Sequence, residues 1–251
     1  MIYIATHKKF NMPTLRDSQG YVPLHVGAVG KNSLGYTGDD TGDNISLKNP
    51  HYCELTGLYW IWKNTEDEYK GLVHYRRYFG KNNLTSNPSK IYTYDELVTM
   101  LSKYDIVLPY IEYFKQTAKE EILIECCTEE IFDKLRRSVQ RLYPEYIEDF
   151  DDFFSQNKCY LFNMMFCRRE LFDKYSKWIF DILFDLEPKI DLKNLNAYQQ
   201  RLYGFLSERL LNVWVRHNNL KIKHLPVVNL EMGLKEKILL ILRRVKHKYA
   251  N

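Results

Sequence analysis

The residues best placed to do chemistry lie where an apolar run turns abruptly basic. Residues 69–79 read Y-K-G-L-V-H-Y-R-R-Y-F, so Gly71, Leu72 and Val73 are followed at once by His74, Arg76 and Arg77. The run predicts a strand, and one continuous strand places His74 and Arg76 on one face and Arg77 on the other. In an open α/β sheet this change falls at the C-terminal end of the strand, the edge where such sheets bind ligands. Guanidinium groups there suit an anion such as phosphate, which they grip through two parallel hydrogen bonds. The same side chains also suit a structural ion-pair network, and residue chemistry alone leaves both readings open.

The segments that must position this edge can be read on either side of it. Residues 1–5 form an apolar run that predicts a first strand, followed by Thr6, His7, Lys8 and Lys9. Polar and basic residues directly after a first strand are placed to hold a nucleotide, or simply to form a solvated loop. Residues 27–42 carry five glycines with Asp39, Asp40 and, just beyond, Asp43, which reads as loop. Those aspartates could bind a divalent metal or act as turn formers. Asn49 is a good N-cap with Pro50 at the first helical position. Tyr52, Leu55, Tyr59 and Trp62 then recur at helical spacing, which predicts a core-facing stripe with Glu54 and Thr56 off it.

Further along, helices are expected over residues 94–103, 119–141, 146–154, 168–186 and 196–215, and strands over residues 104–109, 158–167 and 225–228. Asn163 stands in the middle of the apolar run 158–167, where an amide must be bonded or aimed at a ligand. Arg201, Glu208 and Arg209 accompany the apolar stripe of the helix over 196–215.

Composition narrows the class. The chain has 251 residues, enough for one large α/β domain, with 45% hydrophobic and 27% charged residues, as in ordinary globular proteins. Twenty tyrosines supply flat apolar faces with polar edges, which suit sugars and nucleobases as well as cores. Five cysteines without a C-x-x-C pair predict reduced thiols and a cytoplasmic setting. No signal peptide is visible, and no run approaches the roughly 18 apolar residues that span a bilayer. Residues 235–248 hold six lysines and arginines against Glu236, which exceeds the net charge of +4 and leaves the body near neutral. That argues against a nucleic-acid-binding body. Leu234, Ile238, Ile241, Leu242 and Val245 give the tail an apolar stripe, so it predicts a basic amphipathic helix for an anionic membrane surface or for its own domain.

Several stretches together carry a resemblance. A-T-H-K-K, D-N-I-S-L-K-N, C-E-L-T-G-L-Y-W-I-W-K-N, G-L-V-H-Y-R-R-Y-F, Y-D-I-V-L-P, F-N-M-M-F and G-F-L-S-E-R-L-L-N-V-W occur in this order. The pattern over about residues 1–230 resembles the DUF4422 family of bacterial capsular and exopolysaccharide glycosyltransferases, including galactofuranosyltransferases. The resemblance implies a GT-A-like, Rossmann-like α/β domain over 1–230, with a mixed sheet flanked by helices, and a basic C-terminal helix over 231–251. It implies a UDP-sugar donor and a lipid-linked glycan acceptor, at the inner face of the plasma membrane. The D-x-D motif that commonly holds a metal in that fold is missing, and His74-Tyr75-Arg76-Arg77 stands in its place. Fixed cations would then stabilise the departing diphosphate, with manganese or magnesium as an open question. The expected roles follow from both readings. Thr6, His7 and Lys8 hold the nucleotide, Asp43 and Asn44 contact ribose or sugar hydroxyls, and His74, Arg76 and Arg77 surround the diphosphate. Asn163 and Arg201 face the sugars, and Glu208, with Glu54 second, is the general base. The competing classes are a glycan-binding scaffold without catalysis and a sugar-phosphate transferase with a metal on the Asp39, Asp40 and Asp43 loop.

Overall fold

The computed structural model describes residues 1–13 and 19–233. The fold grows from β1 (Ile2–Thr6), which is buried along its whole length. A strand with both sides apolar needs cover on both faces, as parallel sheets provide. β1 pairs in parallel with β2 (Tyr21–His25), which in turn pairs with the short β3 (Thr37–Gly38). Pro23, which has no N–H to give a ladder, lies where β2 has β1 on one side and β3 has not begun.

The predicted helix over residues 49–62 is two helices, α1 (Asn49–Tyr52) and α2 (Leu55–Asn64). They are broken at Cys53, whose φ of 52° lies in the left-handed region. Asn49 does not act as the N-cap. Its Nδ2 donates instead to the Cys53 carbonyl at 2.8 Å and to Thr56 Oγ1 at 3.1 Å, bridging the break. Tyr52, Leu55 and Tyr59 are buried as the stripe requires.

β4 (Tyr69–His74) returns beside β1, in parallel. The continuous basic strand expected after it is a hairpin. Tyr75 and Arg76 form the turn, and β5 (Arg77–Phe79) runs back antiparallel with His74 opposite Arg77. Paired residues share a face of a sheet, so His74 and Arg77 lie together and Arg76 stands apart in the turn.

The capping box of Thr93 and Glu96 starts α3 (Tyr94–Met100). β6 (Ile106–Pro109) and the small β7 (Glu112–Tyr113) follow. The helix expected over 119–141 is divided into α4 (Ala118–Glu125) and α5 (Glu129–Leu142), because Thr117 and Thr128 each accept from the third helical amide and start a helix. After α6 (Ile147–Ser155) comes the run 158–167, also divided, into β8 (Lys158–Cys159) and β9 (Met165–Arg168). α7 (Arg169–Leu186), α8 (Leu202–His217), β10 (Ile222–Leu225) and β11 (Val227–Asn229) complete the described chain.

The main sheet has the order β10-β6-β9-β4-β1-β2-β3, with β5 and β11 attached beside β4. Along that path only β9 is antiparallel to its neighbours. The expected α/β architecture, a mixed sheet flanked by helices, is therefore what the chain adopts. Strand alternation sorts the core into two layers. Tyr3, Ala5, Leu72, Ile106, Leu108 and Met165 face α2 and α5 to α8, whereas Ile2, Ile4, Val73, Val107 and Phe166 face α3 and β11. His74 follows in phase with Leu72 and so lies on the α2 and α8 side. The tail helix read from the sequence lies beyond residue 233, outside the described residues.

Candidate active site

The predicted residues gather at the C-terminal edge of the parallel strands in two adjoining groups. The first surrounds Tyr75, in the β4–β5 turn. Thr6 ends β1 with its hydroxyl donating to the Lys8 carbonyl at 2.6 Å and accepting from the Lys8 N–H at 3.3 Å. Thr6 is buried, so its hydroxyl serves this turn, and the turn presents His7 and Lys8 outward. The His7 ring meets Tyr75 edge-on at 5.6 Å, Lys8 Nζ stands 4.8 Å from the same ring, and the Arg76 guanidinium stands 5.8 Å from it. Phe10 packs on Tyr75 at 6.0 Å and on Tyr36 at 5.8 Å. Burial, then Lys8, Lys31 and Arg76, hold the His7 imidazolium below its ordinary range, so these cations share one field. Among the described residues Glu231 enters it, with its two oxygens 3.6 Å from Lys8 Nζ and 3.5 Å from Arg76 Nη1.

The second group is built on three residues with unusual backbone, in two turns. Cys53 turns left-handed before Glu54, and Phe162 and Asn163 are consecutive left-handed residues at φ 78° and 51°. Such backbone costs energy in non-glycine residues and persists where surrounding contacts hold it. Here the contacts are visible. His74 Nε2 lies 2.6 Å from the Phe162 carbonyl, which can only accept, so this nitrogen carries the proton. Burial holds the His74 imidazolium below its ordinary range, leaving the ring neutral with Nδ1 as an acceptor. The Arg77 guanidinium lies 4.6 Å from the Phe162 ring. The Phe162 N–H donates to Glu208 Oε1 at 2.9 Å.

Asn163 is 3% exposed and spends its amide within the protein. Its Nδ2 donates to Glu54 Oε1 at 2.8 Å and to the Gly204 carbonyl at 3.1 Å, while Oδ1 accepts from Ser207 at 2.8 Å. It therefore orients Glu54 rather than presenting an amide to a sugar. Glu208 retains 15% side-chain exposure and also accepts from Arg209 Nη1 at 3.1 Å. Burial pushes its carboxyl up to about 7, Arg209 draws it down, and Glu54 adds to the rise. Of Arg201 and Arg209, only Arg209 bonds Glu208. Arg201 Nε donates instead to Cys53 Sγ at 3.2 Å, and its guanidinium lies against Tyr198 and Phe205.

Asp43 and Asn44 are not brought to this edge. Asp43 accepts from the Tyr59 hydroxyl at 3.1 Å and is tethered through its backbone to Asn64, the last residue of α2. Glu54 stands at the opposite end of that helix, about 15 Å away along its axis. Asn44 is spent on Gly42 and Ser46 of its own loop. Nor do the loop aspartates converge on a cation. Asp39 is fully buried and accepts from the Gly27 and Ala28 amides and the Ser46 hydroxyl. Among the described residues no group of three or more His, Cys, Asp or Glu side chains is arranged around a metal position. Sequence reasoning missed Tyr75 and Lys31 beside the cations, Glu231 between them, and Ser207 and Glu125 behind the carboxylates. Only their folded neighbours mark them out.

Residues 1–219 match the profile of a family described as a domain of unknown function, DUF4422. The chain belongs to the DUF4422 family. No curated protein matches it. Among solved structures, the apo WbbM bifunctional glycosyltransferase matches this family member with a TM-score of 0.79 and 31% identity over 92% of the chain. The chain spans 45% of the length of that protein. Among the described residues no helix is long and apolar enough to cross a membrane.

Proposed function

We propose that this chain is a glycosyltransferase that moves a sugar, galactofuranose as the leading candidate, from a UDP-sugar to a growing lipid-linked capsular or exopolysaccharide unit. The observation that carries the reading is the juxtaposition at one strand edge of a cationic field and a buried carboxylate. Lys8 and Arg76, with Lys31 nearby, suit the diphosphate, and Tyr75 suits the nucleobase or ribose face. Arg77 and neutral His74 both lie against Phe162, and Arg77 interacts with Arg76 on one side and with Glu208 on the other. Glu208 takes the proton of the acceptor hydroxyl as its oxygen bonds to the anomeric carbon. The bond from that carbon to the diphosphate oxygen breaks, and the negative charge passes to the leaving UDP beside Arg76 and Lys8. A direct displacement of this kind, with one general base, inverts the anomeric carbon. The basic segment after residue 233 supplies the charge for an anionic inner membrane surface, where each cation contributes about 1 kcal/mol.

The test is acceptor-dependent release of UDP from UDP-galactofuranose and from other UDP-hexoses, with lipid-linked glycan as acceptor. Sugar transfer supports the reading. Nucleotide-independent glycan binding without turnover would instead identify a scaffold.

The position of Glu231 gives a second expectation. Its carboxylate competes with an incoming diphosphate for Lys8 and Arg76. Glu231→Gln therefore binds UDP about two- to fivefold more tightly at low salt, the scale of exposed ion pairs. Calorimetry that found unchanged or weaker binding would show that Glu231 organises the two cations rather than competing for them.

A further inference from the structure

Behind the candidate base lies an ion-pair chain that the reaction itself does not use. Arg209 is only 3% exposed, an unusual position for a guanidinium, and it is gripped from two sides. Its Nη1 donates to Glu208 Oε2 at 3.1 Å, and its Nη2 donates to Glu125 Oε2 at 2.5 Å. Its Nε is buried with no hydrogen-bond partner. One cation is thus divided between two carboxylates, and the shorter contact belongs to the one remote from the strand edge. Glu125 ends α4, keeps 27% side-chain exposure, and accepts from the Tyr198 hydroxyl at 3.0 Å through its other oxygen.

We propose that Glu125 is a positioning residue for the base, setting through the shared Arg209 how firmly Glu208 is held in its ionised form. The inference rests on the reading of Glu208 as the base. Arg209 fully committed to Glu208 would make it an ordinary ion-paired carboxylate, always charged and a weak base. With Glu125 taking the closer contact, Glu208 keeps enough proton affinity to accept a proton near neutrality, where general-base catalysis is most effective. Removing the Glu125 charge acts twice in one direction: it releases Arg209 to Glu208, and it deletes a negative neighbour.

The other groups facing Glu208 do not reverse this sign. Glu54 approaches from the start of α2 and Arg77 from β5, and both are unaltered by the change. Cys159, Cys126 and Tyr175, on β8, beside α4 and on α7, are all pushed upward by burial and stay neutral in the working range.

The measurement is the pH dependence of kcat/KM for sugar transfer, compared between wild type, Glu125→Gln and Glu125→Asp. The acid limb, which reports ionisation of the base, is expected to move to lower pH by about half a unit to one unit in Glu125→Gln. The plateau falls as the base weakens. In Glu125→Asp, which keeps the charge, the limb stays closer to wild type. A limb that does not move, or moves to higher pH, overturns the proposal. A loss confined to the plateau or to thermal stability would mark Glu125 as merely structural, which also overturns it. Should the glutamine variant fail to fold, Glu125→Met removes the same charge and is read the same way. Failure of the underlying assignment looks different: the wild type would then have no acid limb near neutrality, and Glu208→Gln would retain turnover.

Discussion

Glu208→Gln is expected to lower kcat/KM by about 10²–10⁴, the usual range for loss of a general base. Glutamine keeps the shape and its oxygen can accept from the Phe162 N–H that Glu208 Oε1 accepts from now, while its amide NH2 gives up the bond from Arg209, which stays held by Glu125. The fold should therefore survive, and donor binding at Lys8 and Arg76 should change little. The wild-type rate should rise with pH through about 7, because the carboxyl must be ionised to act. The same group carries a stability signature with a definite sign. Its folded carboxyl holds its proton to higher pH than the unfolded one, so the folded state binds the extra proton between the ordinary carboxylate range and about 7. Stability therefore falls as pH rises across that window, and the glutamine variant, which cannot ionise, should lose less. Parallel activity and melting profiles check both statements. Near-normal turnover in the variant would remove Glu208 from the reaction and leave Glu54, 2.8 Å from the Asn163 amide, as the next carboxylate to test.

Asn163→Ala is expected to be the most damaging single change for stability among the site residues. It leaves Glu54, the Gly204 carbonyl and the Ser207 hydroxyl each without one partner in a buried setting. It also puts alanine at a φ of 51°, where asparagine is tolerated and other side chains are strained. Together these cost about 3 kcal/mol, from roughly 1–3 kcal/mol for orphaned polar groups and about 1 kcal/mol for the backbone. In a chain of this size that lowers Tm by roughly 6–12 °C. Asn163→Gly keeps the backbone freedom and should recover the smaller, conformational part. Both variants free the Glu54 carboxylate, so both should also lose activity. A Tm within a degree or two of wild type in Asn163→Ala would show that the surrounding turn is held by other contacts.

The layers of the fold were legible in the sequence because they follow local rules. The apolar runs of β1 and β4 report strands covered on both faces, and the helical stripe through Tyr52, Leu55 and Tyr59 reports which side of that segment is buried. The Thr93 capping box likewise needs only its own residues. The change from apolar to basic at the end of β4 was legible too, since His74 and the two arginines follow directly on Leu72 and Val73.

What the sequence concealed are the breaks, and they are tertiary in origin. Cys53 adopts its left-handed turn where the amide of Asn49 bridges the break and where Gly204 leaves room: a Cβ at Gly204 would lie 3.2 Å from the Cys53 Sγ. No spacing within residues 49–62 encodes a glycine on α8. For the same reason the run 158–167 reads as one strand. Only His74, Glu208, Glu54 and Ser207, drawn from three other segments, show that Phe162 and Asn163 turn aside to carry the site. Asp43 and Asn44 were read toward the sugar for their chemistry, yet their bonds to the second half of α2 and to their own loop place them elsewhere.

The central claim is that the cationic edge around Tyr75 holds a nucleoside diphosphate. The most direct test is a thermal-shift titration of the full chain with UDP, GDP, CDP and UDP-sugars, each with and without manganese, for wild type and Arg76→Ala. A ligand that binds only the folded state raises stability by about 2.7 kcal/mol at a hundred times its Kd. The account predicts a concentration-dependent rise in Tm with UDP and UDP-sugars, smaller or lost in Arg76→Ala, and the manganese series separates an ion brought with the donor from side chains acting alone. No rise with any nucleotide, or an equal rise in Arg76→Ala, would contradict it.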